Sequence, residues 1–159
     1  TYTQLGYQAE SGPWRNFYLT GARDLFKKDV PYTSQLINDG VLAQMDMGTL
    51  LDYCAIQLNG EKAAGKKAVI NINFTDTKEK VMLMLNNGVL NHRLDSQYEK
   101  ADLTLEIEKM NFVKLFFGRT DLQTLLKTDK VKTTGNTQAM DVICSAYEPA
   151  DPNFKIVLP

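Results

Sequence analysis

Alternating apolar and polar positions predict a β-sheet in the middle of the chain. In "KAVININF", Ala68, Ile70, Ile72 and Phe74 fall on one face of a strand, and the residues between them fall on the other. The same two-residue period recurs at 80–88, 89–94 and 101–109, and a short fifth strand is expected in "KVKTTG" (130–135). Each of these strands is predicted to be half-buried.

Helical periodicity surrounds the predicted strands. Met47, Leu50, Leu51, Cys54 and Leu58 have the spacing of one helix face, and further helices are predicted at about 110–117, 121–127 and 137–147. The order is helix, four antiparallel strands, helices, strand and helix, which is typical of an α+β domain. We therefore predict an antiparallel-dominated, five-stranded sheet that helices cover on one face, with its other face in water.

The first 45 residues contain no strand pattern. The tripeptide "SGP" (11–13) predicts a helix start, because proline in the first helical turn loses no hydrogen bond, and helical spacing continues to about Phe26. We predict a helical segment at 1–45 and a separate domain at 46–159. The residues before Ser11 are typical of the last turns of a helix that begins earlier. We therefore expect the chain to be part of a longer protein.

The stretch "FVKLFFG" (112–118) predicts a helix that is apolar on two sides. Phe112, Leu115 and Phe116 share one face, while Val113 and Phe117 lie on the other. A helix of this kind is buried between two layers, or it contacts a core on one side and a cavity on the other. The residues alone allow both interpretations.

Charge and composition argue against several classes of function. The formal net charge is −1 without a basic stripe, so we do not expect a nucleic-acid partner. No segment approaches the roughly 20 apolar residues of a membrane-spanning helix. Cys54 and Cys144 fall in apolar helical patterns, and we interpret them as buried thiols. Glu106 and Glu108 share a strand face, which we interpret as the solvated face of the sheet.

Several motifs resemble known families. The stretches "LNG", "FTDT", "LNNGVLNHR", "ADLTLEI" and "KVKTTGN" are similar to sterol carrier protein type 2 domains. The pairing of "SGPWRNFYLTGA" (11–22) with "DPNFKIVLP" (151–159) is more specific, and it resembles the C-terminal region of alkyl sulfatases of the metallo-β-lactamase superfamily. The resemblance implies a sterol carrier protein type 2-like fold for 46–159, and it implies that 1–45 is the end of a helical dimerisation region.

The resemblance also implies hydrolysis of alkyl sulfate esters at a two-zinc site of histidines and carboxylates. This chain contains a single histidine, His92, whereas such a centre needs at least three or four ligands of these types. We therefore expect no catalytic residue, metal ligand or cofactor in the chain, and we expect the zinc in the catalytic domain of the parent chain. A secreted or periplasmic bacterial location is a further implication of the family.

A hydrophobic ligand is the third implication, because sterol carrier folds hold acyl chains or sterols between sheet and helices. We predict that the apolar helices line a slot for the alkyl tail of an alkyl sulfate or other long-chain amphiphile, so that the sulfate ester is presented to the metal site elsewhere. The predicted lining residues are Phe112, Leu115, Phe116, Leu122, Leu125, Leu126, Met140 and Ile143. Trp14 and Arg15 are predicted to contact the catalytic domain of the parent chain, which we expect to be a homodimer.

The same residues allow two other interpretations. The chain could be a free-standing sterol- or lipid-binding carrier module. Alternatively, the apolar helices are plain core, and the domain is a structural support for the dimer. Binding of long alkyl chains separates the structural interpretation from the other two.

Overall fold

The computed structural model describes residues 1–26 and 38–149. Residues 1–26 contain helices α1 (Tyr2–Gln8) and α2 (Gly12–Phe26). The two helices approach each other closely at Gly6, where a Cβ atom would lie 2.7 Å from Leu19 Cδ2. The predicted helix start at "SGP" is confirmed. The predicted helical segment at 1–45 lies partly outside the described residues, and the tail "DPNFKIVLP" lies wholly outside them.

Residues 38–149 contain the remaining described helices and strands. Asn38, Asp46, Asn59 and Asp121 each begin a helix, because their side chains accept a hydrogen bond from a backbone N–H of the first turn. In chain order the elements are α3 (Asp39–Gln44), α4 (Met47–Ile56), α5 (Gly60–Ala63), β1 (Ala68–Phe74), β2 (Lys80–Asn86), β3 (Val89–Leu94), β4 (Leu103–Ile107), α6 (Lys109–Phe116), α7 (Leu122–Lys127), β5 (Val131–Gly135) and α8 (Gln138–Cys144).

The strands form one five-stranded sheet in the order β3-β2-β1-β4-β5. Neighbouring strands are antiparallel except β1 and β4, which are parallel. The α+β class and the antiparallel-dominated sheet are confirmed, whereas the expected run of four antiparallel strands is wrong at β4. The chain crosses from β3 at one edge to the far side of β1 without reversing direction, so β4 runs the same way as β1.

Residues 95–102 form this crossover, and they lie against the outer face of the sheet, which carries Asn71. Asn71 Nδ2 donates to the Tyr98 carbonyl oxygen, and Asn71 Oδ1 accepts from the Tyr98 N–H, both at 2.9 Å. Gln97 Nε2 donates to the carbonyl oxygen of Val81 at 3.3 Å. Asn71 is only 6% exposed, so the expectation that the outer face is entirely in water is wrong there. Strand alternation identifies the face of a residue but not what crosses it.

Asp102 anchors the end of the crossover to β1. Its N–H donates to the carbonyl oxygen of Val69 at 2.8 Å, and its Oδ2 accepts from the N–H of Val69 at 2.7 Å. Gly135 passes directly beside it with φ +106°, and a Cβ atom there would lie 2.5 Å from the Asp102 carbonyl oxygen. Only glycine fits this position without a shift of backbone.

The core lies between the helices and the inner face of the sheet, which carries Ile70 and Ile72. Lys109 is 8% exposed at the edge of this core although it is charged. Its Nζ donates to the carbonyl oxygen of Ala43 at 3.0 Å and to that of Met45, and its N–H donates to Asp76 Oδ1 at 3.1 Å. A buried ammonium group needs such partners, and here they hold the start of α6 against the end of α3.

The crossover yields a stability prediction. Replacing Asn71 with leucine removes both hydrogen bonds to Tyr98 and leaves the Tyr98 N–H and carbonyl oxygen without their partner. We expect the free energy of unfolding in urea to fall by about 2 kcal/mol. Asn91→Leu is the matched control, because Asn91 is exposed on β3, and it should change stability by less than about 0.5 kcal/mol. Equal effects of the two substitutions would contradict this account of the crossover.

Candidate functional site

The residues predicted to line a slot come together in the structure. Phe112, Phe116, Met140 and Ile143 are completely buried. They belong to one hydrophobic cluster with Leu115, Leu122 and Leu125, and Leu126 packs against its margin. The Phe112 ring contacts those of Phe74 and Phe116 at centroid distances of 5.7 and 6.1 Å. The cluster is therefore part of the core, and its binding of an alkyl tail stays a prediction.

A cavity of about 80 Å³ borders this cluster, and we call it the ring cavity. The Phe117 ring lies 5.7 Å from that of Tyr53 and 5.3 Å from that of Tyr147, measured between centroids. Phe116 contacts both Phe117 and Tyr147, at 5.3 and 6.0 Å, and joins the cavity to the buried cluster. The lining residues are Leu42, Tyr53, Phe117, Arg119 and Tyr147.

None of the ring-cavity residues is among the predicted lining residues. The sequence pattern could have indicated two of them as apolar lining residues. Phe117 lies on the second apolar face of "FVKLFFG", and Tyr147 continues the apolar face of α8. No local pattern indicated the other three, because Leu42, Tyr53 and Arg119 come from elements far apart in the chain. Their meeting depends on the packing of α3, α4 and the segment after α6.

One charged side chain, that of Arg119, lines the ring cavity. Its Nη1 donates to Asp39 Oδ1 in an ion pair, and the Arg119 side chain is 45% exposed. Burial raises the pKa of the Tyr147 phenol, the nearby Tyr53 raises it further, and the Arg119 charge acts in the opposite direction. The Tyr147 phenol is therefore protonated at neutral pH and can donate a hydrogen bond. The cavity thus combines an aromatic wall with a cationic rim.

A second cavity of about 250 Å³ lies at the edge of the sheet formed by β2 and β3, and it shares no lining residue with the ring cavity. His92, the single histidine, pairs with Leu83 across the two strands, and its Nδ1 lies 3.8 Å from Asp52 Oδ1 of α4. Within residues 1–26 and 38–149, no group of three or more His, Cys, Asp and Glu side chains could hold a metal ion. The residues around this cavity are Met82, Met84, Asn91, His92 and Arg93.

The predicted interface residues lie near the start of α2. Trp14 is 68% exposed. Arg15 Nη2 donates to the Ala9 carbonyl oxygen at 3.0 Å and so closes the end of α1. Arg15 thus makes a hydrogen bond within the chain, and contact of Trp14 and Arg15 with another domain stays a prediction. The other large apolar side chains that are exposed on these two helices are Leu5, Tyr7, Phe17, Leu25 and Phe26.

Comparison with known proteins supplies the family. Residues 35–159 match the sequence profile of the family described as "Alkyl sulfatase C-terminal". The chain belongs to this family. It is 37% identical over 158 residues to the linear primary-alkylsulfatase of a Pseudomonas species, a match of 98% of this chain and 23% of that relative. The alkyl/aryl-sulfatase BDS1 of Saccharomyces cerevisiae is 30% identical over 156 residues, which are 24% of its length.

A solved structure agrees with the family. The inverting sec-alkylsulfatase Pisa1 from a Pseudomonas species matches 98% of this chain and 24% of its own chain, with a TM-score of 0.85 and 33% identity. The chain thus spans about a quarter of the length of these relatives, and the resemblance to the C-terminal region of alkyl sulfatases is confirmed. A sterol carrier protein from Aedes aegypti matches at a TM-score of 0.46 and 19% identity, a likeness too distant to assign a shared ligand. Among the described residues, none of the helices is long and apolar enough to cross a membrane.

The cysteines yield a reactivity prediction. Cys54 and Cys144 are both free thiols, and the interpretation as buried thiols is confirmed for Cys54, whereas Cys144 is only half-buried. Loss of contact with water raises the pKa of each thiol to about 12. Because the thiolate is the reactive form and a raised pKa makes it scarce at pH 8, both thiols should react with a disulfide reagent only slowly in the folded chain and quickly in urea. Ser145→Cys, at the exposed neighbouring position, should add one fast thiol. Fast reaction of Cys54 would contradict its burial, and fast reaction of Cys144 would contradict its raised pKa.

Proposed function

We propose that this chain binds the alkyl tail of a long-chain alkyl sulfate within a larger alkyl sulfatase. It presents the sulfate ester to a zinc site in the catalytic domain of the parent chain. The parent protein forms a homodimer. Membership of the alkyl sulfatase C-terminal family supports the parent activity. The observation that carries the tail-binding role is the ring cavity beside the buried cluster of α6 and α8.

The size of the ring cavity limits how a tail binds. About 80 Å³ is room for two or three groups of the size of a water molecule, at about 30 Å³ each. In this proposal the cavity takes only the first carbons of a tail. A longer tail requires the Phe117 and Tyr147 rings, which are only partly buried, to move apart and expose Phe116. Met140 is completely buried in the same cluster as Phe116, and its flexible side chain can adapt to an inserted chain.

The energy of tail burial is sufficient for the proposed role. Each buried methylene contributes about 0.8 kcal/mol, so an eight-carbon tail contributes several kcal/mol even if part of it stays in water. Binding of this kind holds the ester at the mouth of the cavity, and a held ester reacts more readily at a separate catalytic centre than a freely diffusing one. A purely structural domain would show no such affinity for alkyl chains.

Filling the ring cavity tests this function. Leu42 is 1% exposed and lines the cavity, so Leu42→Phe places a ring where the first carbons of a tail would lie. We expect the affinity for 1-octanol, measured by calorimetry on the 159-residue chain, to fall about tenfold, which corresponds to the loss of two buried methylenes. Ile56→Phe is the matched control, because Ile56 is 78% exposed on α4, and it should leave the affinity unchanged.

Two outcomes of that experiment would contradict the proposal. One is that the unsubstituted chain binds no alkyl chain of eight to sixteen carbons, which would favour the structural interpretation. The other is that Leu42→Phe, shown to be folded by circular dichroism, binds 1-octanol as tightly as the unsubstituted chain. In that case the tail binds elsewhere.

We also propose that Trp14 contacts the catalytic domain of the parent chain. The test compares Trp14→Ser in two contexts. In the 159-residue chain it should change the free energy of unfolding by less than about 0.5 kcal/mol, because Trp14 is largely exposed there. In the complete parent chain it should reduce stability towards urea by about 2 kcal/mol, as expected for a buried interface tryptophan. A small effect in both contexts would contradict the proposed contact.

A further inference from the structure

The backbone fixes Arg119 at the rim of the ring cavity. Gly118 ends α6 with φ +66°, a conformation that suits glycine. The Arg119 N–H then donates to the Lys114 carbonyl oxygen at 2.8 Å. The backbone position of Arg119 is therefore defined, and its side chain lines the ring cavity while remaining 45% exposed to water.

The carboxylate of Asp39 is the anionic group that pairs with Arg119 in the structure. It accepts a hydrogen bond from the Arg119 guanidinium, and both side chains are about half exposed. An ion pair this exposed contributes little to stability, so an incoming anion displaces Asp39 at small cost. The planar guanidinium is suited to carboxylate, sulfate or phosphate oxygens, because it donates parallel hydrogen bonds.

The groups that face this rim agree with a ligand that has one charge and one tail. Tyr53, Phe117 and Tyr147 form an aromatic wall beside Arg119. The protonated Tyr147 hydroxyl is a neutral hydrogen-bond donor beside that cation. A head group with anionic oxygens at Arg119 would therefore place its first carbons among the rings.

We infer that Arg119 is a head-group site that makes this domain bind an anionic alkyl sulfate in preference to the neutral alcohol of the same tail. The inference rests on the proposed function, because it concerns the head of the ligand whose tail the ring cavity holds. Hydrolysis of an alkyl sulfate monoanion by water gives a neutral alcohol and hydrogen sulfate. The product keeps the tail but loses the charge, so Arg119 distinguishes substrate from product.

The test compares three ligands with the same length of tail, namely octyl sulfate, octanoate and 1-octanol. Calorimetry on the 159-residue chain, below the micelle concentration of octyl sulfate, measures each affinity. Arg119→Gln should lower the affinity for octyl sulfate about tenfold, which is the typical effect of losing a charge-assisted hydrogen bond. The same substitution should change the affinity for 1-octanol by less than about twofold. Asp39→Asn should raise the affinity for octyl sulfate several-fold, because it removes the carboxylate that competes for Arg119.

Arg93→Gln is the matched control. Arg93 is an exposed arginine on β3 that does not line the ring cavity, so its substitution should leave all three affinities unchanged. Circular dichroism establishes that each variant is folded. The octanoate measurement identifies what Arg119 recognises: an equal loss of octanoate affinity means that it recognises charge, and a loss confined to octyl sulfate means that it prefers sulfate.

The results that would overturn the head-group site differ from those that would overturn tail binding. Arg119 is not a head-group site if Arg119→Gln leaves the affinity for octyl sulfate unchanged. The same conclusion holds if the substitution lowers the affinities for octyl sulfate and 1-octanol equally. In that case 1-octanol binding that Leu42→Phe weakens still supports the tail-binding role. If neither octyl sulfate nor 1-octanol binds the unsubstituted chain, both proposals are wrong.

Discussion

The two hydrogen bonds between Asn71 and the Tyr98 backbone are the constraint on which the arrangement of the sheet depends. They hold the crossover against the outer face, and the crossover delivers β4 to the far side of β1. The next element, α6, begins directly after β4, so the position of β4 decides where the apolar helices start. A β4 strand paired beside β3 would place them over a different edge of the sheet.

Lys109 links the position of α6 to that of α3, which contributes to the ring cavity. Its ammonium group holds the carbonyl oxygens of Ala43 and Met45, which lie at the end of α3. Helix α3 carries Leu42 and Asp39, while α6 leads into Phe117 and Arg119. The buried charge therefore brings two parts of the proposed site together. An apolar side chain of similar length could fill the same space, but it could not bind the carbonyl oxygens that set the position of α3.

Folding and the proposed ligand binding draw on the same apolar layer. Phe116 belongs to the buried cluster and also contacts the rings around the cavity. An alkyl tail that displaces ring contacts replaces one set of apolar contacts with another, so the net gain comes mainly from methylenes that leave water. The charged rim adds what the apolar layer lacks, because a guanidinium distinguishes head groups and an apolar wall does not.

Periodicity alone determined the five strands, most of the helices and the α+β class. It also placed four residues in one apolar layer, namely Phe112, Phe116, Met140 and Ile143. It could do so because periodicity shows which side of its own element a residue faces. Motifs such as "SGPWRNFYLTGA" determined the family. Only the tertiary structure decided the parallel pairing of β1 with β4, the burial of Asn71 and Lys109, and the composition of the ring cavity. These features arise from contacts between residues far apart in sequence, and a local pattern contains no information about which distant element its polar side chains will meet. For the same reason, the sequence pattern did not bring together Leu42, Tyr53, Phe117, Arg119 and Tyr147.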